Sequence, residues 1–247
     1  MKKLLCFAAA MLASVPLFAL DKITFATEPT YPPFEYLDEA GNYQGFDMDL
    51  ARAVCAAAEV KCEFKSNDFD SLIPGLRYHK FDAVIAAMDV TEERSKAVDF
   101  SNVYVANSAV YVARSGDLKS IHDLHGKRVA VQNGTTHLNY LDDRMKAEKI
   151  TIVPYKGYPQ AYLDLGNKRV DAVFSDAVVA HEWLEKRGKG SFEVVGEPVT
   201  DSKYFGSGLA IAVRKGNAEL LEVINKALAK IKADGTYQKI YDKHLAN

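Results

Sequence analysis

Short apolar runs alternate with helical patterns along most of the chain. Ile23 to Thr27 reads as a first strand. Gly45-Phe46-Asp47-Met48-Asp49-Leu50 then leads into a helix through Ala58, with apolar residues at Leu50, Val54 and Ala57. Glu59 to Lys65 is a second strand, Phe69 to Arg77 a short helix, and Ala83 to Ala87 a buried strand. Strands separated by helices predict an α/β protein with mainly parallel sheets, because parallel neighbours need a long crossover and a helix supplies it.

The pattern then repeats. Phe69-Asp-Ser-Leu-Ile-Pro-Gly-Leu-Arg-Tyr-His-Lys-Phe-Asp-Ala-Val-Ile-Ala resembles Tyr158-Pro-Gln-Ala-Tyr-Leu-Asp-Leu-Gly-Asn-Lys-Arg-Val-Asp-Ala-Val-Phe-Ser. In both, an aromatic opens a short helix, a basic turn follows, and Asp-Ala-Val enters a buried strand. Arg128-Val-Ala-Val-Gln-Asn-Gly-Thr-Thr supplies a further strand running into a helix start, so two related lobes are predicted. Two extended segments, Asn102 to Ala113 and Val194 to Asp201, are the expected crossings between them. Paired β-like crossings form a hinge suited to closure about a cleft. The expected division is 20–107 plus 200–247 for a discontinuous first lobe and 108–199 for the second. Leu220 to Ala233 is a helix expected to pack back on lobe one, with a Gly stop signal at Asp234-Gly235.

The N-terminus changes the picture of where this protein works. Lys2 and Lys3, an apolar run from Leu4 to Leu12, and Pro16-Leu17-Phe18-Ala19 have the order of a signal peptide. The run is shorter than the roughly 20 residues a membrane span needs. Cleavage after residue 19 removes two of the 31 basic residues and leaves 29 against 33 acidic, a net charge of −4. That balance excludes nucleic acid and anionic membrane as expected partners. Cys6 would leave with the leader. Cys55 and Cys62 remain, seven positions apart, and in an exported protein read as a disulfide rather than two free thiols. Metal binding is the alternative, without a His or third Cys at ligand spacing to support it. No cofactor or metal is expected.

In open α/β sheets, ligands sit beyond the carboxyl ends of the strands. Glu28 and Tyr31 follow the first strand; Met88, Asp89, Thr91 and Arg94 follow the strand ending near Ala87. Asn133-Gly134-Thr135-Thr136 follows the strand ending at Gln132, and Ser175-Asp176 closes the next. This set suits an amino acid. Arg94 can grip a carboxylate bidentately, and Thr136 at a helix N-terminus can donate to the same group. Asp176 can hold an ammonium, leaving Glu28 and Asp89 for a second positive group at the far end. Tyr31 and Phe69 could sandwich a flat cation, which favours guanidinium over ammonium. Each residue also has an ordinary reading. The acids can be solvated, Arg94 can pair with Glu92 or Glu93, Gly134-Thr135-Thr136 can be only a turn and cap, and the rings can be core.

Thr-Tyr-Pro-Pro-Phe-Glu, Gly-Phe-Asp-Met-Asp-Leu, Phe-Asp-Ser-Leu-Ile-Pro, Met-Asp-Val-Thr-Glu-Glu-Arg and Asn-Gly-Thr-Thr resemble the periplasmic substrate-binding proteins of polar amino acid ABC transporters. Lys203-Tyr-Phe-Gly and Lys232-Ala-Asp-Gly-Thr-Tyr carry the resemblance almost to the C-terminus. It is closest to arginine-binding members, beside the lysine/arginine/ornithine and histidine binders. The resemblance implies a two-lobed, hinge-closing fold with each lobe a mainly parallel sheet flanked by helices. It implies a monomer that captures L-arginine and hands it to a membrane permease. It also implies carboxylate recognition by Arg94 and Thr136, ammonium recognition by Asp176, stacking by Tyr31 and Phe69, and a Cys55–Cys62 bridge. Two departures favour arginine: Ala86-Ala87-Met88-Asp89 replaces a Ser-Ser-Leu-Ser run, adding an acid, and Glu28 stands where Asp is usual. Neutral Gln132 lies nearby, and the Ala87 backbone is expected to serve the ligand ammonium. A lyase or dehydratase on the same fold is the competing class, but no Gly-x-Ser-x-Gly elbow or metal-spaced His pair is present. His137 is its one candidate acid/base and reads as a helix-surface residue. A sensory role beside transport leaves no motif to read.

Overall fold

The computed structural model describes residues 20–246, so the leader assigned to 1–19 lies outside the described residues. The chain begins with β1 (Lys22–Thr27), then a small antiparallel sheet of β2 (Thr30–Tyr31), β3 (Glu35–Leu37) and β4 (Tyr43–Gln44), then α1 (Phe46–Ala57). Next come β5 (Lys61–Ser66), α2 (Leu72–Arg77), β6 (Ala83–Val84), α3 (Glu92–Ala97) and β7 (Val98–Phe100). A crossing leads to β8 (Ala109–Arg114), β9 (Arg128–Gln132), α4 (Thr136–Arg144), β10 (Thr151–Tyr155) and α5 (Tyr158–Gly166). That lobe ends with β11 (Ala172–Asp176), α6 (Ala177–Trp183) and β12 (Phe192–Val199). The return carries α7 (Ser202–Phe205), β13 (Ala212–Arg214), α8 (Ala218–Ala233) and α9 (Thr236–His244).

Two five-stranded sheets result, ordered β5-β1-β6-β13-β7 and β10-β9-β11-β8-β12. Each is the same arrangement. Four strands point one way and one is reversed, β13 in the first sheet and β8 in the second. The reversed strand is in both cases the first that the chain lays down after crossing from the other lobe. The repeated segments, α2–β6 and α5–β11, take equivalent places beside β1 and β9. The internal likeness in the sequence is therefore a likeness of topology.

Five of the six residues of β1 are buried, which is why it reads as an unbroken apolar run and not an alternation. Helix α8 buries Leu220, Ile224, Ala227, Leu228 and Ile231, a single stripe at helical spacing that joins the core of α1. Removing one large member of such a stripe costs about 2–5 kcal/mol. Cys55 of α1 and Cys62 of β5 form a disulfide with Cα atoms 5.8 Å apart.

Three features differ from the pattern. Gly235 adopts the left-handed conformation, φ 81°, but the chain resumes as α9, whose Tyr237 and Tyr241 pack edge-on against Phe46. The strand expected over Ala83 to Ala87 pairs only at Ala83 and Val84. Tyr204 and Phe205 pack into the second lobe's cluster with Phe174, so the return crossing begins after them rather than at residue 200. Gly206 marks that point, with φ 56° and its Cα so close to the Val90 carbonyl that any Cβ would collide.

Candidate functional site

A narrow cavity, with about 10 Å³ of space open to water, lies between the lobes. Nine of the ten expected site residues line it: Glu28, Tyr31, Phe69, Ala87, Asp89, Arg94, Gln132, Thr136 and Asp176. They come from the segments beyond β1, β5, β6, β9 and β11, with Tyr31 in β2 and Phe69 in a short helical turn before α2. The tenth, Met88, does not line it. Its side chain packs in the lobe-one core with Leu72, Leu76 and Phe81, because Asp89 beside it turns the other way towards the cleft.

Local structure explains each position. Thr91 caps α3 by accepting from the Arg94 N–H at 3.2 Å. This fixes Arg94 in the first turn, 9 % exposed, and its guanidinium runs back to the Asp89 carbonyl at 3.0 Å. A second donor reaches the Gly134 carbonyl of the other lobe at 3.3 Å, and Phe69 lies under the guanidinium at 5.5 Å. Arg94 thus does not pair with Glu92 or Glu93. Gly134 is needed here, since its φ is 73° and a Cβ would press on Asp70 across the cleft.

In the second lobe, Thr135 caps α4 by accepting from Leu138 N–H at 3.2 Å and donates to the Gln132 carbonyl at 2.7 Å. That leaves Thr136, the first helical residue, to face the cavity, where its hydroxyl donates to Asp89 Oδ2 at 3.0 Å. Asp176 ends β11 and precedes α6, yet its carboxylate makes no capping bond and turns into the cleft. Asp47 accepts from the Ala87 N–H at 2.7 Å and from Tyr104 at 3.0 Å, holding Ala87 at a φ of 42°. The Ala87 N–H is thereby used as a donor within lobe one, and its carbonyl is the group able to accept from an ammonium.

The two ends of the cavity differ. At one end, Asp89 and Asp176 share a single donor, the Asn107 amide, at 2.9 and 2.7 Å. Asp89 is thus grouped with Asp176, Arg94 and Thr136, and not with Glu28 as the far-end reading had it. At the other end, Glu28 accepts from Thr30 and, at 3.3 Å, from Gln132. Tyr31 and Phe69 both line the cavity. The Tyr31 ring stacks on Tyr158 at 5.0 Å, and its hydroxyl accepts from the Asp176 N–H at 3.1 Å.

Burial raises the proton affinity of the acids. Burial pushes the Asp89 carboxyl up to about 7, with the facing Asp176 adding to this and Arg94, His137 and Asn107 opposing it. Burial likewise raises Glu28, against the bonds from Thr30 and Gln132. Glu35 is raised well above the carboxylate range by burial and by Asp47, and burial takes Asp47 itself to about 7. Burial lowers Arg94, which still remains a cation at neutral pH.

Glu35 and Asn107 were not among the expected site residues, and Thr135 and His137 were expected only as part of a turn and as a helix-surface residue. Glu35 follows the Pro32-Pro33 turn and lines the cavity, a place where no strand end pointed to it. His137 is not on the helix surface. It is 3 % exposed, held edge-on by Phe174 and Phe205 at 5.2 Å, with Nε2 3.0 Å from Asp176 Oδ1 but not aligned as a hydrogen bond. Its α4 neighbours gave the signal: Thr136 facing the cleft draws the next residue inward. Among the described residues, no group of three His, Cys, Asp or Glu is arranged to hold a metal ion, and no helix is long and apolar enough to cross a membrane.

Known proteins share this arrangement. Residues 23–247 match the bacterial extracellular solute-binding proteins, family 3. The chain is 48 % identical to a putative ABC transporter arginine-binding protein 2 of Escherichia coli K12, over 98 % of each chain. A Salmonella typhimurium periplasmic binding protein, described for its high arginine specificity, superposes with a TM-score of 0.86 at 44 % identity, covering 91 % of this chain and 99 % of that one. An ancestral arginine-binding protein bound to glutamine gives a TM-score of 0.83 at 42 % identity, over 92 % and 98 %. With its two lobes, paired crossings and charged interlobe cavity, this chain belongs to family 3 of the bacterial extracellular solute-binding proteins.

Proposed function

We propose that this chain captures L-arginine between its two lobes in the periplasm and delivers it to the membrane permease of an ABC transporter. The observation that carries this is the excess of acid in the cavity, where Glu28, Asp89 and Asp176 face one guanidinium, Arg94, and a fourth carboxyl, Glu35, is held towards its neutral form by burial. A zwitterionic amino acid uses Arg94 for its carboxylate and an acid for its ammonium, and the remaining acids call for a second positive charge. Arginine-binding relatives at 48 % identity support the same ligand.

In this reading Arg94 and the Thr136 hydroxyl and N–H take the α-carboxylate. Asp176 and Asp89, with the Ala87 carbonyl, take the ammonium. Glu28, beside Gln132, takes the guanidinium, and Tyr31 and Phe69 form the walls. The lobes are 20–107 with the C-terminal segment, and roughly 108–205, hinged at the crossings near Val105 and Gly206, and closure sequesters the ligand. Export with loss of residues 1–19 would release a soluble monomer. Binding without chemistry agrees with a family of solute-binding proteins.

A second reading, capture of a neutral polar amino acid, has one specific support: a related arginine binder holds glutamine. A thermal-shift and calorimetry panel of the twenty amino acids with ornithine and citrulline separates the two. Arginine at a hundred times its Kd should stabilise the protein by about 2.7 kcal/mol, or about 5–10 °C in Tm for a chain of this size. Citrulline, with the same shape and no side-chain charge, should bind far more weakly. Tight glutamine or histidine binding without arginine binding overturns the proposal.

A further inference from the structure

We propose that Asn107 is the residue that sets the charge of the ammonium end: a neutral amide wedge, carried on the hinge crossing, that joins one carboxylate from each lobe and preserves the pocket's demand for a cationic ligand. This deepens the arginine reading and rests on it.

One nitrogen, Asn107 Nδ2, donates to Asp89 Oδ1 of lobe one at 2.9 Å and to Asp176 Oδ1 of lobe two at 2.7 Å. Two carboxylates within reach of one nitrogen is the geometry an ammonium needs, and the amide supplies only two of the three donors an ammonium has. The rest of the side chain is also fixed. Asn107 Oδ1 accepts from the Ser108 N–H at 2.9 Å, and the Ser108 carbonyl accepts from the Ala177 N–H, next to Asp176, at 2.8 Å. Two residues earlier the crossing is bridged to Leu209 of the return crossing at Val105. The side chain is thus tied to one acid from each lobe, on a crossing that is itself bridged to the other.

The residue type matters because of charge. An amide satisfies one lone pair on each acid without neutralising either. An Asp would offer no donor and add a third acid, whereas a Lys would cancel the charge a ligand is meant to cancel. The groups that face Asp89 and Asp176 besides Asn107 are Arg94, Thr136, His137, Tyr31, Tyr104, Tyr158 and Glu35. Among them only Arg94 is a permanent cation, and it is directed at the Asp89 and Gly134 carbonyls. Asn107 is therefore a positioning residue for both acids.

Asn107→Ala, Asn107→Asp and Asn107→Gln, compared with the parent, test this. Calorimetry with L-arginine in two buffers of different ionisation heat gives affinity and protons exchanged from pH 5.5 to 8.5. Asn107→Ala should weaken arginine by about tenfold or more at pH 7, the size of a lost bond to a charged group. It should also move the pH at which protons are exchanged upward, and Asn107→Asp should do both more strongly. Asn107→Gln, which keeps the donors, should recover part of the affinity. A parent that binds arginine, with Ala and Asp variants within twofold of it and with unchanged proton exchange, overturns the role of Asn107. A parent that does not bind arginine overturns the function instead. The role of Asn107 is then read without ligand from Tm against pH, where Asn107→Ala must shift the profile to higher pH and an unshifted profile sinks it.

Discussion

The two ends of the cleft are built from the same kind of group and do different work. At the ammonium end, Asp89 and Asp176 are braced by Asn107, Thr136 and the neighbouring Arg94, with bonds that cross between lobes. At the far end, Glu28 has only neutral partners, Thr30 and Gln132, and neighbours another acid in Glu35. In the proposed binding mode, the braced end recognises what all amino acids share and couples it to closure. The unbraced end is where an unmatched buried carboxylate makes one side chain preferable to another, because burying a charge without a counter-charge is costly.

Arg94 should give the largest effect. Arg94→Met removes the one permanent cation lining the cavity and should cost about 2–5 kcal/mol of binding for every amino acid tested, measured by calorimetry. Loss confined to arginine would place Arg94 at the wrong end. Next comes Glu28→Gln, which should reduce the preference for arginine over citrulline by about 1–3 kcal/mol while leaving the weaker ligand's affinity close to the parent's. Equal losses for both ligands would erase the distinction between the ends.

Asp89→Ser sharpens the same contrast from the other side. On its position beside Asp176, it should lower affinity for arginine, lysine and ornithine together by about 1–2 kcal/mol. A change in their ranking would mean that Asp89 faces the side chain after all. The smallest effect is that of pH. Asp89 holds its proton up to about 7, and a bound cation favours the ionised form, so arginine affinity should fall below that pH, by at most about tenfold per unit for each proton exchanged.

The unliganded protein should respond to pH in the opposite direction. Asp89 and Asp47 titrate near 7 when folded and about 4 when unfolded. The native state therefore binds more protons across that window, and its stability falls as pH rises from about 4 to about 7. Tm measured without ligand should drop over this range. A rise would show that these acids ionise freely in the fold.

Much of the architecture was legible because it rests on period and order. The apolar runs at Ile23–Thr27 and Val129–Gln132, the Asp-Ala-Val repeat, and the stripe from Leu220 to Ile231 each specify an element locally. The rule that ligands sit at strand ends then found Glu28, Asp89, Arg94, Gln132, Thr136 and Asp176 without coordinates. What that rule cannot supply is direction. Met88 and Asp89 are adjacent, yet one enters the core and the other the cleft. Asp89 reads equally well beside Glu28 or Asp176 until the lobes are assembled. Helix α9 was missed because Gly235 resembles a terminus, and only the Phe46 ring and the Tyr104 carbonyl give its tyrosines partners.

The sequence by itself determined the lobes, their relatedness and the chemical inventory of the cleft, since these follow from hydrophobic period and residue type. Tertiary structure alone decided which acids share a partner. Asn107, Asp89 and Asp176 are separated by 18 and 69 positions, and only closure of two sheets about their crossings brings such groups within hydrogen-bond distance.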